Sequence, residues 1–275
     1  MYSKNNRLVY PRGAASKISE PEPLNKGRRF AGRFRIHLTE IDSTNSFLLR
    51  NEELLKYGGL VVTADRQTAG RGRKGREWLG INGEQLVFSI VLHPELGNHY
   101  LPAITLLTGL GVYKALRDEG CGLLAVKWPN DILLNSRKVC GILCELRMMA
   151  SQPVVVAGIG LNVKGGRGEF PGFLRNRATT IEAETGLSLD KERLLESILN
   201  RLDTVLKQAH KGKITELFRE WEQNSDSIGR GVRFHHKGSL LAGEIAGLDE
   251  IGRLKVRLAS NGVSKTLIAE EVEFI

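Results

Sequence analysis

Asp65-Arg-Gln-Thr-Ala-Gly-Arg-Gly-Arg-Lys-Gly-Arg-Glu-Trp78 is the stretch on which the reading of this chain turns. Gly70, Gly72 and Gly75 give a backbone that comes close to a ligand and adopts conformations closed to other residues. Arg71, Arg73, Lys74 and Arg76 stand among and beside them. Guanidinium forks match carboxylate and phosphate oxygens, so the segment suits an anion, and such crowding of like charge predicts a loop that orders on its ligand. Read alone, it also fits a nucleic-acid contact or a linker. Gly70–Gly75 satisfies G-x-G-x-x-G after an apolar strand, Leu60–Ala64. The dinucleotide fingerprint, however, requires a helix to start at the glycines, and Arg76–Glu84 has no helical apolar period. The phosphate-loop motif fails as well, because Arg76 and Glu77 stand where Lys and Ser/Thr belong.

Outward from the loop, the charge is unevenly spread. The chain of 275 residues carries a net charge of +9. Residues 1–35 hold nine Lys/Arg against Glu20 and Glu22, and residues 65–76 hold five against Asp65. What remains is near neutral, so no general basic face offers itself to a nucleic-acid duplex. Cys121, Cys140 and Cys144 lack metal-site spacing and read as reduced thiols of a cytoplasmic protein. No apolar run reaches membrane-span length, and no secretory apolar segment is evident near the start.

The order of elements is that of an α+β protein. Residues 1–33, with Pro11, Pro21 and Pro23 and no apolar period, read as a flexible or loosely docked basic arm dispensable for catalysis. Ile36–Ile41 alternates as a strand, and Ser43 or Thr44 caps a helix expected to run to Tyr57. Gln85–His93 is a buried strand and Leu101–Glu119 a buried helix. Strands follow at 124–127, 132–134, 139–146 and 154–163, with a hairpin turn at Asn135-Ser136-Arg137. Two amphipathic helices fill 190–224, where Leu194, Ile198, Leu202 and then Ile214, Leu217, Phe218, Trp221 form core stripes. From about Ile228 short strands with Gly or Asn turns predict a small β-barrel.

Three further segments make the loop specific: Asp42-Ser-Thr-Asn45, Lys127-Trp-Pro-Asn-Asp131 with Lys138–Glu145 after it, and Gly158-Ile-Gly-Leu-Asn-Val163. Taken in order with the loop, they resemble the biotin protein ligases from about Phe34 to Ile275. The resemblance implies a mixed β-sheet with helices packed on it (the class II aminoacyl-tRNA-synthetase-like catalytic fold) over 34–226. It also implies an SH3-like β-barrel over 227–275.

Such enzymes activate biotin with ATP and Mg²⁺ to biotinoyl-AMP. They then transfer biotin to one lysine of a biotin carboxyl carrier domain of a biotin-dependent carboxylase. On the family match Lys127 faces the reacting carboxylate and α-phosphate, with Arg73 beside it. Ser43, Thr44, Asn45, Gln67, Gly70, Arg71, Gly72, Arg73, Lys127 and Gly141 correspond to the biotin-binding set. Arg71, Arg73, Arg76, Trp78, Asn130 and Asn162 correspond to the adenylate-binding set. The hydroxyls of Ser43 and Thr44 and the amide of Gln67 suit a neutral cyclic urea. Trp78 either packs on the nucleotide or anchors the loop, and Asp131 either turns to ligand or caps its own turn.

No dedicated metal cage is evident, so Mg²⁺ is expected on phosphates and water. Family members that double as repressors carry an N-terminal winged helix-turn-helix. Nothing before Phe34 has helical periodicity, so specific DNA binding is not expected, while a homodimer is compatible with the family. The rival readings are a lipoate or octanoate ligase of the same fold and, from another class, a nucleic-acid-binding regulator. The first lacks Lys-Trp-Pro-Asn-Asp, and the near-neutral body and few aromatics argue against the second.

Overall fold

The computed structural model describes residues 21–81, 83–236, 238–267 and 272–275. In chain order the larger, first part of the chain holds β1 (Glu22–Pro23), β2 (Phe34–Ile41), α1 (Thr44–Arg50), β3 (Leu60–Gln67), β4 (Gln85–Leu92) and α2 (Ile104–Asp118). It continues with β5 (Leu124–Lys127), β6 (Asp131–Leu134), β7 (Arg137–Met149), β8 (Gln152–Asn162), α3 (Ile181–Thr185), α4 (Lys191–His210) and α5 (Ile214–Gln223). These strands form one eight-stranded sheet in the order β1-β2-β3-β4-β8-β7-β6-β5, with only β2 and β3 parallel. A second, antiparallel sheet follows: β9 (Gly231–His236), β10 (Ser239–Leu248), β11 (Leu254–Leu258), β12 (Ser264–Leu267) and β13 (Val272–Phe274). Its order, β12-β11-β10-β9-β13, is consistent with the SH3-like barrel the sequence suggests.

Strand alternation sorts the large sheet into two faces. Leu86, Phe88, Ile90 and Leu92 of β4 and Val155, Ala157, Ile159 and Leu161 of β8 pack toward α2 and the stripes of α4 and α5. The helices meet closely where Gly111 of α2 faces Leu202 of α4, since a Cβ at Gly111 would lie 2.9 Å from the Leu202 Cα. Val87, Val91, Val154 and Val156 face the opposite way, under Phe47 and Leu48 of α1 and Leu54 and Leu55. Further along β7 and β8 on this second face, the residues are Gly141, Gly158 and Gly160. With no side chains of their own to fill the layer, these positions let other groups come down onto the sheet.

Some boundaries differ from expectation for local reasons. The first helix stops at Arg50 because Asn51 leaves helical geometry (φ −114°, ψ 71°) while its side-chain amide donates to the Phe47 carbonyl at 2.7 Å. Leu54 and Leu55 then enter the core from a 3-10 turn, Glu52–Lys56. Pro102 sits in another 3-10 turn, Asn98–Ala103, which delays α2 to Ile104. The Asn135-Ser136 hairpin turn forms as expected, with both residues at positive φ (50° and 63°). Strands β7 and β8 run longer than expected and meet at Ala150-Ser151, also at positive φ (43° and 70°). Neither is a residue type that usually takes positive φ, so the sequence did not mark this turn. Among the described residues no helix is long and apolar enough to cross a membrane.

The largest correction concerns the arm. Residues 1–20 lie outside the described residues, but 21–33, expected to be loose, are docked. Arg28, Phe30 and Ala31 are buried, and β1 pairs with the start of β2. One carboxylate explains the docking. Asp203 on α4 accepts the Arg29, Phe30 and Ala31 amides at 2.9, 2.6 and 3.3 Å and pairs with Lys207 at 2.7 Å. Arg28 adds a bond to Asn200 and an ion pair with Glu196. The segment is short of apolar periodicity because its burial is secured by backbone amides, which no side-chain pattern reveals. Asp203→Ala is therefore expected to cost about 3 kcal/mol, having stranded three amides. Urea unfolding checks it, and Asp203→Asn, which keeps an acceptor oxygen, should recover most of the loss. Truncation through residue 30 should destabilise the protein in the same assay.

Candidate active site

A cleft of about 1000 Å³ opens over the glycine floor. Of the residues singled out in the sequence, it is lined by Ser43, Thr44, Asn45, Gln67, Arg71, Gly72, Arg73, Arg76, Trp78, Lys127, Asn130 and Gly141. Gly70 and Asn162 do not line it. Gly70 borders an adjoining hollow of about 260 Å³ that shares Gln67 and Trp78 with the cleft. Asn162, at the end of β8, is buried; its amide donates to the Thr179 carbonyl at 3.1 Å and its Oδ1 has no partner.

At one end lies a buried, uncharged polar set. Ser43 caps α1, its hydroxyl accepting the Ser46 amide, while Arg50 pairs with the preceding Asp42 and holds that carboxyl below its usual range. Gln67 Oε1 accepts from both the Thr44 amide (2.8 Å) and hydroxyl (3.0 Å). The Ser89 hydroxyl lies 2.6 Å from Thr44 Oγ1 and 2.5 Å from Asn45 Oδ1, so one proton serves two acceptors. Asn45 in turn donates to Glu145 at 2.9 Å. Asn45 can sit on the sheet only because residue 158 is glycine, as a Cβ there would lie 2.3 Å from Asn45 Oδ1.

Sequence reading missed two members of this network. Ser89 is the one polar residue within Leu86–Leu92, and Glu145 is the one charge within Val139–Leu146. A lone polar residue in an apolar strand was the signal available for each.

The basic loop has a defined form. Gly72 N–H donates to the Arg76 carbonyl (2.7 Å), Trp78 N–H to that of Gly70 (2.9 Å), and Arg71 bridges Glu77 in antiparallel fashion. Lys74 and Gly75 make the tight turn at positive φ (54° and 72°). The segment expected to order only on its ligand thus already carries a hairpin ladder. Its charge is partly neutralised, because Arg71 holds Glu145 with both guanidinium arms, at 2.9 and 3.1 Å.

Trp78 returns the loop to the sheet. Its ring lies on Gly141 and Gly160, where added Cβ atoms would come within 2.8 and 2.4 Å of it, and its Nε1 donates to Gln85 at 2.7 Å. Trp78 therefore anchors the loop here, with one face of the ring still bordering the cleft.

At the other end stands Lys127, the last residue of β5. The Trp128–Pro129 peptide that follows is cis, and Asn130 exchanges bonds with Ile142, donating its side-chain amide to that carbonyl at 2.8 Å. Burial pulls the Lys127 ammonium below the usual lysine range; Asp131 opposes this, and Arg230 adds to it. Asp131 itself is taken by Lys138 at 2.6 Å. Among the described residues there is no cluster of three or more His, Cys, Asp or Glu able to hold a metal ion.

The model of the Biotin/lipoate A/B protein ligase family matches residues 38–162. Biotin--[acetyl-CoA-carboxylase] ligase of Paracoccus denitrificans is 32% identical over 80% of this chain and 92% of its own length. The chain belongs to the biotin protein ligase family. The bifunctional ligase/repressor BirA of Bacillus subtilis is 31% identical over 77% of the chain, which spans 65% of that relative's length. Among solved structures, biotin protein ligase from Aquifex aeolicus in complex with biotin and ATP superposes with a TM-score of 0.73 at 31% identity. That match covers 88% of this chain and 98% of the other.

Glu145 joins the loop, β7 and Asn45, and so its removal has a defined reading. Glu145→Gln should keep the Asn45 bond but leave the Arg71 charge unbalanced. Limited trypsin cleavage after Arg71, Arg73 or Lys74 should then speed up several-fold in the ligand-free protein. An unchanged cleavage rate would show that the ladder alone holds the loop.

Proposed function

We propose that this protein is a biotin protein ligase that makes biotinoyl-AMP from biotin and ATP and transfers the biotinoyl group to a carrier lysine. One observation supports this most: a single cleft joins a largely buried neutral polar set at Thr44 and Gln67 to a cation at Lys127, with the basic loop between. Biotin has the same layout, a neutral cyclic urea at one end and a carboxylate at the other. A fatty acyl chain would find little apolar surface along the Thr44–Ser89–Asn45 network.

In this reading Ser43, Thr44, Asn45 and Gln67 take the urea, and the floor at Gly141 admits the flat ring system. Gly70 and Gly72 let the loop approach. Lys127 and Arg73 draw the biotin carboxylate and the α-phosphate together by cancelling their repulsion, with Arg71 shaping the loop beside them from its pair with Glu145. A carboxylate oxygen then bonds to the α-phosphorus, and pyrophosphate leaves. Arg76, Trp78 and Asn130 hold the adenylate, while Asn162, buried outside the cleft, supports the site from the end of β8 rather than touching it. The carrier lysine amine next attacks the acyl carbon, an amide forms and AMP leaves. Closure of the loop over the mixed anhydride keeps water from competing.

Asp131, which lines the cleft, and Glu145 are already bonded to Lys138 and Arg71, and among the described residues no three His, Cys, Asp or Glu cluster to hold a metal. The side chains thus offer Mg²⁺ no ready cage, and we assign the ion to the triphosphate and water. The carrier we infer is a biotin carboxyl carrier domain.

Incubation with biotin, ATP, Mg²⁺ and such a domain should add one biotinoyl group per carrier, read by mass spectrometry. Acceptance of lipoate or octanoate in place of biotin would move the protein to the rival activity. Lys127→Ala should lower adenylate formation by ~10²–10³-fold with the fold intact. Because burial places the Lys127 pKa below the ordinary lysine value, its charge is lost earlier as pH rises. Adenylate formation should therefore fall through an alkaline limb below the ordinary lysine range. The same displacement means that the folded state releases this proton first, so the burial penalty on stability is present at neutral pH and relieved as pH rises through that window.

A further inference from the structure

Lys127 poses a question of placement. A half-buried ammonium commonly rests on a carboxylate, yet both acids whose charge favours this one are engaged elsewhere. Asp131 pairs with Lys138 at 2.6 Å, and Asp226 pairs with Arg230 at 2.8 Å. What Lys127 does meet is an aromatic ring from the second sheet: its Nζ lies 4.4 Å from the centre of Phe274. The same ring has the Arg230 guanidinium carbon at 4.6 Å. Both Lys127 and Phe274 line the cleft.

The ring is held firmly by its own strand. Phe274 pairs with Val232 and Glu273 with Arg233 in the β13–β9 ladder, and the Ile275 amide donates to the Gly231 carbonyl at 3.0 Å. The second sheet is in turn tied to β5, the edge strand that ends in Lys127. Val126 exchanges backbone bonds with the connecting segment, donating to Asn224 and accepting from Asp226, both at 2.9 Å. Trp128 N–H donates to the Ser227 hydroxyl at 3.0 Å, and the Leu248 amide on β10 donates to Glu222 on α5. The ring and the lysine are therefore fixed to one frame, through bonds that leave the ammonium itself unpaired with any anion in the hydrogen bonds and ion pairs described.

We infer that Phe274 is a positioning residue for Lys127, holding its ammonium at the cleft on a ring face so that the charge is placed but not neutralised. The inference rests on the role given above to Lys127. The physical distinction matters for the reaction. A carboxylate partner would compete with the incoming carboxylate and phosphate for the same charge, whereas a ring quadrupole attracts the cation and carries no net charge. The second sheet thereby contributes to the chemistry of a cleft built mainly by the first. It does so through a ring that lines the cleft beside the lysine.

The test compares Phe274→Leu, Phe274→Tyr, Lys127→Ala and the Phe274→Leu/Lys127→Ala double variant of the full chain, by biotin-dependent adenylate formation. Phe274→Leu should lower kcat roughly tenfold, the scale of a partly desolvated cation–ring contact, while KM for biotin and ATP stays within a few-fold. Phe274→Tyr should restore the rate, which a purely packing role would not predict given the added hydroxyl. The alkaline limb should move downward in Phe274→Leu, because the ring face that favours the charged ammonium is lost while an apolar side chain stays beside it. The groups facing Lys127, namely Asp131, Lys138, Asp226 and Arg230, are common to both proteins.

In the Lys127→Ala background the Phe274→Leu change should have no further effect. Normal kcat and an unmoved pH profile in Phe274→Leu, with Lys127→Ala inactive, would overturn the inference alone. An active Lys127→Ala would instead overturn the role of the lysine. Equal losses in Phe274→Leu and Phe274→Tyr, with lowered thermal stability in both, would reduce Phe274 to a packing residue.

Discussion

The ion pair between Arg71 and Glu145 is the contact on which the arrangement of the cleft depends. Glu145 stands on β7 beyond Gly141, and through Asn45 it reaches the start of α1, while Arg71 begins the basic hairpin. A loop with several like charges would otherwise spread out into water. Tied at Arg71 and weighted at the far end by Trp78 on Gly160, it lies across the sheet with Arg73 and Arg76 bordering the cleft. The bidentate geometry makes the pair more than a surface ion pair of the usual small worth.

The same economy of charge recurs around the cleft. Cations brought together for anionic substrates repel one another while the cleft is empty, and most have an internal partner. Lys138 has Asp131, Arg230 has Asp226, and Arg71 has Glu145. Lys127 rests on the Phe274 ring instead. In the proposed reaction that difference separates a charge kept available for the reacting groups from charges that shape the surroundings. The neutral end of the cleft obeys the complementary rule: the hydroxyls of Thr44 and Ser89 and the amides of Gln67 and Asn45 satisfy one another, so no unpaired charge is buried where a neutral ring system is to bind.

Much of this was legible in the sequence because it follows from local pattern. Alternation gave the strands, the helical period gave α4 and α5, and Asn135-Ser136 gave its turn. The four motifs marked most residues of the cleft, since each lies at a strand end or helix start that the fold brings to one place. What stayed hidden depends on distant partners. Asp203 pins residues 29–31 through backbone amides, which leave no trace in side-chain periodicity, and so the docked segment read as loose. Phe274 is an ordinary strand residue until the second sheet places it on Lys127. Ser89 and Glu145 were visible as polar exceptions in apolar strands, yet only the cross-strand register shows that they belong to one network.

The central claim is that this cleft activates the carboxylate of biotin against the α-phosphate of ATP. Exchange of labelled pyrophosphate into ATP reads that step directly and needs no carrier protein. Exchange should depend on biotin, be lost in Lys127→Ala, and not be supported by lipoate or octanoate. Exchange that proceeds equally without biotin, or with a fatty acid in its place, would contradict it.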